Sequence, residues 1–184
     1  MLYSCIQPEE KQADNSGTIK NWLSSQKAHI NENSSKLIIR NTIVLNGKME
    51  EGYLDKELVS QILDNLEGLS IDQSLRSHDY NIVTSDTTIG NESLYITTNT
   101  AGKDNNAELR RLTVIHPEKE RPFSTPLLVI LSMVQDNNLY HQDDSYTLTT
   151  KEGFLTKIER LSKHDVAFSK ETNFYQLVEI KKSK

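Results

Sequence analysis

Near the end of this 184-residue chain, Asp165 precedes the run Glu179-Ile180-Lys181, which rides on the apolar segment Tyr175-Gln176-Leu177-Val178. Two carboxylates can hold a hard divalent cation through oxygen, and a neighbouring lysine can position or deprotonate an attacking water. Glu159 is the upstream carboxylate that could join them. A second set is basic: Lys151, Lys157, Arg160, Lys163 and Lys170, the residue types that contact phosphate in nucleic-acid readers. A third is His141-Gln142-Asp143-Asp144, which offers three nitrogen or oxygen ligands but no fourth group to complete a metal's shell, and so reads as a polar loop. Cys5 is the only cysteine, which excludes an intramolecular disulfide and a cysteine-based zinc site. Nothing beside it would lower its pKa, so it reads as an ordinary thiol. The five histidines never fall at i, i+4, and no glycine-rich phosphate loop occurs. No cofactor and no metal site is expected.

The elements that would position these groups can be read from periodicity. Pro8–Gly17 is polar, and residues 1–17 read as a mobile arm. Ile19, Trp22, Leu23 and Ile30 recur at helical spacing, a stripe that either caps its own domain or docks on a partner protein. Leu37–Leu45 reads as a strand because five of its nine residues are β-branched, and Asn46-Gly47 is a turn signal behind it. Residues 55–67 read as an amphipathic helix through Leu58, Val59, Ile62, Leu63 and Leu66. Tyr80–Val83 and Ser93–Thr97 read as a hairpin around Gly90-Asn91, and Leu109–Ile115 as a strand.

In the second half, Pro126 at a first turn and the run Leu127–Leu131 with Met133 and Val134 predict a buried helix. Tyr146–Thr149 reads as a short strand. Thr149 and Glu152 form a capping-box pattern opening a second helix with Phe154, Leu155, Ile158 and Leu161. Val166–Phe168 and Phe174–Ile180 then read as a hairpin. This order, helix, short strand, helix, hairpin, is similar to a winged helix, although no full helix precedes the second one. The resemblance implies that the helix with Lys151, Lys157, Arg160 and Lys163 would enter the major groove, with Lys170 on the wing. Asp165 with Glu179-Ile180-Lys181 resembles the PD-(D/E)xK nucleases over some twenty residues, but that family continues past the lysine and this chain ends three residues later. Ser77-His78-Asp79 and Lys163-His164-Asp165 each stand between an expected helix and an expected hairpin, a pattern that two degenerate copies of one unit would leave.

The expected fold is therefore α+β, with a winged-helix-like second half and possible tandem helix-plus-hairpin units. Its divisions are an arm (1–17), an α+β half (18–116), a charged linker (117–125) and a winged-helix-like half (126–184), or one continuous domain from 18 to 184. The net charge of −5, from 21 Lys+Arg against 26 Asp+Glu, argues against a broad nucleic-acid coat. No apolar run reaches the ~18–20 residues of a membrane span, and the first residues hold no basic or apolar signal region. The expected compartment is cytoplasm or nucleus. The leading functional expectation is a non-enzymatic interaction or scaffolding subunit of an intracellular complex. Its partners would be other protein subunits, met through Ile19, Trp22, Leu23 and Ile30. A DNA-associated winged-helix protein and a metal-dependent nuclease acting through Asp165, Glu179 and Lys181 are the alternatives.

Overall fold

A computed structural model describes residues 16–69, 71–102, 106–117, 125–137, 139–167 and 171–183. Most of the expected arm, most of the expected linker, Cys5 and Lys170 lie outside them. The elements in chain order are α1 (Ser16–Glu32), β1 (Leu37–Leu45), β2 (Lys48–Tyr53), α2 (Lys56–Gly68), α3 (Ile71–Ser77), β3 (Tyr80–Ile89), β4 (Glu92–Ala101), β5 (Leu109–His116), β6 (Leu128–Asn137), β7 (Tyr140–Lys151), β8 (Phe154–Val166) and β9 (Thr172–Lys182). A single antiparallel sheet contains all nine strands in the order β2-β1-β9-β8-β7-β6-β5-β4-β3. The chain thus meanders from β3 to β9 and closes on β1, whose nine residues pair with β9 from Leu37↔Lys182 to Leu45↔Phe174.

The winged-helix-like α+β expectation is overturned. The two helices assigned to the second half are strands β6 and β8, and the short strand between them is part of the twelve-residue β7. Glu152-Gly153 does not open a helix. Both residues have positive φ, 55° and 81°, which turns β7 back into β8 as a two-residue hairpin of the primed type. Asn46-Gly47, with φ of 49° and 83°, does the same between β1 and β2. The tandem-unit reading fails with the helices, because Lys163-His164-Asp165 lies within β8 rather than at a helix end.

His141–Asp144, expected as a polar loop, lies inside β7, and Val166, expected to open a strand, ends β8. Several other local signals agree with the structure. Asp55 caps α2, its carboxylate accepting from the Leu58 N–H at 3.2 Å. β1, β5 and the β3–β4 hairpin stand where β-propensity puts them. Among the described residues, no helix is long and apolar enough to cross a membrane.

One face of the sheet carries the core. Leu112, Val114, Val129, Leu131, Met133, Leu148, Ile158, Val178 and Ile180 point to it from alternate strand positions and are buried. The helices cover them with Ile19, Trp22, Leu23 and Ile30 of α1, Val59, Leu63 and Leu66 of α2, and Ile71 of α3. Full burial of each such aliphatic side chain stabilises the fold by roughly 1.5–3 kcal/mol before chain entropy is counted. Lys27 pairs with Asp64, and Ser24 donates to Glu67 at 2.8 Å, which fastens α1 to α2 along their outer edges. Gln26 fastens α1 to the sheet. Its amide donates to the Gly153 carbonyl at 3.2 Å and its oxygen accepts from the Leu155 N–H at 2.8 Å.

Candidate functional site

Side chains alternate across a sheet, so the residues between the core positions define a second face that α1, α2 and α3 do not cover. Reading the register across this bare face gives rows of direct neighbours. One row runs Ser132, Ser145, Leu161, Tyr175, Val44, Met49, each paired with the next on the adjoining strand. The adjacent row holds Asp143, Lys163 and Asn173. All of these except Met49 line an open trough of about 520 Å³ that crosses five strands. Its centre is apolar and accessible, with Leu161 57% exposed, and beyond its end Met49 is 64% exposed.

The rim is charged and internally paired. Lys163 bonds Glu171 at 2.9 Å, which holds the Glu171 carboxyl below its usual range. His141 stands 3.2 Å from Asp143 and 3.6 Å from Asp136, and the Asp143 hydrogen bond raises its pKa. Burial raises the Tyr175 phenol, whose hydroxyl donates to Glu159 at 3.3 Å.

The helical face holds a second cluster where the strands outrun the helices. Arg160 reaches Asp144 with Nη2 3.2 Å from both carboxylate oxygens, and its guanidinium lies over the rings of Tyr146 and Phe174 at 5.4 and 5.5 Å. Gln142 adds a 2.5 Å bond to Asp144. Next to them the Ser162 hydroxyl and His164 Nε2 are 2.6 Å apart, and His164 Nδ1 is 3.4 Å from the Tyr140 hydroxyl. A serine beside a histidine has the chemistry of a nucleophile and its base. Ser162 is, however, only 5% exposed, and the carboxylate across from it, Asp144, is taken by Arg160 and Gln142. The arrangement locks side chains together and does not present a nucleophile. These residues repeat at i, i+2 and i+4 on β7 and β8, a strand signal hidden once β8 is read as a helix.

The residues singled out from the sequence disperse. Asp165 and Glu179 share the bare face but not a location. Glu179 pairs with Lys157, eight residues before Asp165 on β8, so about 26 Å of strand separates the two carboxylates. Lys181 is bonded to Glu179 at 3.0 Å. Among the described residues, no three His, Cys, Asp or Glu side chains gather as a metal would need. Lys157 and Lys163 lie on the bare face and Arg160 on the other. Each has a carboxylate partner: Glu159 at 3.0 Å, Glu171 at 2.9 Å and Asp144 at 3.2 Å. Lys151 stands at the β7 turn. Ile19, Trp22, Leu23 and Ile30 are all buried in the chain's own core, at 1%, 5%, 1% and 1% exposure. The trough is missed by the sequence reading because its lining comes from five strands and only register makes them neighbours.

Comparison of the chain with protein-family models, with curated proteins and with solved structures yields no match.

Proposed function

We propose that the chain is a binding module that works by presenting the bare face of its sheet to a partner protein. The observation that supports this most is the transverse row Leu161, Tyr175, Val44, Met49. It is an apolar strip across four strands, open to solvent at Leu161 and Met49; Leu161, Tyr175 and Val44 lie in a trough rimmed by paired charges, and Met49 extends the strip beyond it. A centre of exposed aliphatic and aromatic groups ringed by polar ones is the anatomy of a protein interface. The partner it fits offers an apolar ridge to the trough and hydrogen bonds to Ser132, Ser145 and Asn173 on its walls.

The test is site-specific photocrosslinking in the source cell. A crosslinker at Leu161 or Met49 is expected to capture a discrete protein partner, whereas one at the outer surface of α2, at Glu57, captures none. A companion variant, Leu161→Glu, should lose that partner and leave thermal stability within about 0.5 kcal/mol, since the side chain is mostly exposed. Adducts that form equally at Glu57, or no adduct at either Leu161 or Met49, overturn the proposal. So does hydrolytic turnover that disappears in Ser162→Ala.

A further inference from the structure

The two edges of the sheet are built differently. β2, at one edge, is six residues long and carries Lys48, Glu50 and Glu51. Charges of this kind keep an exposed strand from pairing with another chain. β3, at the other edge, is ten residues long, contains neither lysine nor proline, and is exposed at nine positions. Its sequence, Tyr-Asn-Ile-Val-Thr-Ser-Asp-Thr-Thr-Ile, is rich in β-branched residues and carries one charge, Asp86. Ile82 and Val83 are 52% and 53% exposed on opposite faces of the strand. One outer row of backbone N–H and C=O groups is thus guarded and, among the described residues, the other is left open.

We infer that β3 pairs antiparallel with β3 of a second copy, joining the two sheets into one of eighteen strands. This rests on the edge alone and is independent of the bare-face reading.

Symmetry restricts the register. Two identical edge strands are related by a two-fold axis perpendicular to the sheet, which keeps like faces together, so one residue must face its own twin at the centre. The part of β3 backed by the rest of the sheet runs from Asn81 to Asp86, because their β4 partners Thr100 and Tyr95 bound the segment that pairs with β5. The middle of that stretch falls at Val83 and Thr84. Charge excludes registers centred nearer Asp86, and of the two central axes Thr84 aligns nine residues of each strand where Val83 aligns seven. With Thr84 at the axis, Asp86 faces Ile82, and the two Asp86 positions lie four residues apart, about 13 Å along the strand. That spacing exceeds the ~8–10 Å Debye length of ordinary buffers. With Ser85 at the axis, they lie two residues apart, about 7 Å, and repel. The Thr84 register also sets threonine against threonine, a favourable cross-strand pair, and aligns Tyr80–Thr88 of both copies. In this assembly the helices of both copies lie on one side and both bare faces on the other.

Light scattering coupled to size exclusion reads the outcome directly. The chain is expected at about 42 kDa, twice its 21.0 kDa mass, with dissociation on dilution. The double variant T84K/S85K should run as a monomer with unchanged circular dichroism and melting temperature, since both positions are exposed. Glu51→Lys on the opposite edge should stay dimeric. Register is read by cysteine pairing. In a Cys5→Ser background, Thr84→Cys places two thiols at the axis on Cα atoms about 4.5–5.5 Å apart, within disulfide reach, and should crosslink rapidly on oxidation. Ile89→Cys, equally exposed but off the axis, should not. A chain monomeric at every soluble concentration overturns the inference. A dimer that survives T84K/S85K, or crosslinking as fast through Ile89→Cys as through Thr84→Cys, overturns it too.

Discussion

Gln26 is the side chain whose removal tests most directly how the helical layer is fixed to the sheet. It is 5% exposed, and it closes the β7–β8 turn from above by donating to the Gly153 carbonyl and accepting from the Leu155 N–H. Gln26→Met keeps length and near-equal volume and removes both bonds. Because Leu155 is itself buried, its N–H is left without a partner. An orphaned buried donor costs about 1–3 kcal/mol, and the half-buried carbonyl adds on the order of 1 kcal/mol, for a total of roughly 2–4 kcal/mol. For a chain of this length each kcal/mol lowers Tm by about 2–4 °C, so a mid-range loss of ~3 kcal/mol gives roughly 6–12 °C. Urea unfolding at fixed pH, followed by Trp22 fluorescence and circular dichroism, measures it. The midpoint should fall with the slope unchanged, since the surface exposed on unfolding is the same. A loss below about 1 kcal/mol would mean that water replaces both bonds, and that α1 is held by apolar packing alone.

Glu152→Asn should stabilise the fold by about 0.5–1 kcal/mol in the same assay, because Glu152 sits at φ 55° in a turn whose first position favours asparagine. His141 should titrate above its ordinary value in an NMR pH series, and Asp143→Asn should bring it down, since the Asp143 hydrogen bond is the main cause of the shift. The sign of the linked stability follows. A raised folded-state pKa contributes stability that is fully present below the ordinary histidine value of about 6.5 and is lost as pH rises through the raised one. Unfolding measured across that window should therefore show less pH dependence in Asp143→Asn than in the parent chain.

The short-range features of this protein are legible in its residues. Asp55 ahead of an amphipathic run makes α2. β-branched residues make β1. Asn46-Gly47 makes a turn with two positive φ values. These outcomes depend on contacts within a few positions, so the local sequence contains their cause. The strands misread as helices depend on long-range contacts. In β6, Val129, Leu131 and Met133 go under the helices, while Leu128, Ile130 and Val134 on the other face stay half-buried. With apolar groups on both faces, the two-residue period vanishes and the run looks like a buried helix. In β8, Leu155 and Ile158 are both buried although three positions apart, which is helical spacing. A register shift opposite Thr149 and Thr150 inserts one extra residue and swaps the faces.

The same division holds for function. Composition and residue spacing determined that the chain has no cysteine pair, no glycine-rich phosphate loop and no histidines on one helical turn, because those are properties of the string itself. Tertiary structure decided that Asp165 and Glu179 stand far apart, that Trp22 and its neighbours turn inward, and that Leu161, Tyr175 and Val44 meet in one trough. The pairing of β9 with β1 joins residues 129 to 145 positions apart, and such register is chosen by the burial of the whole sheet beneath its helices rather than by any segment within it.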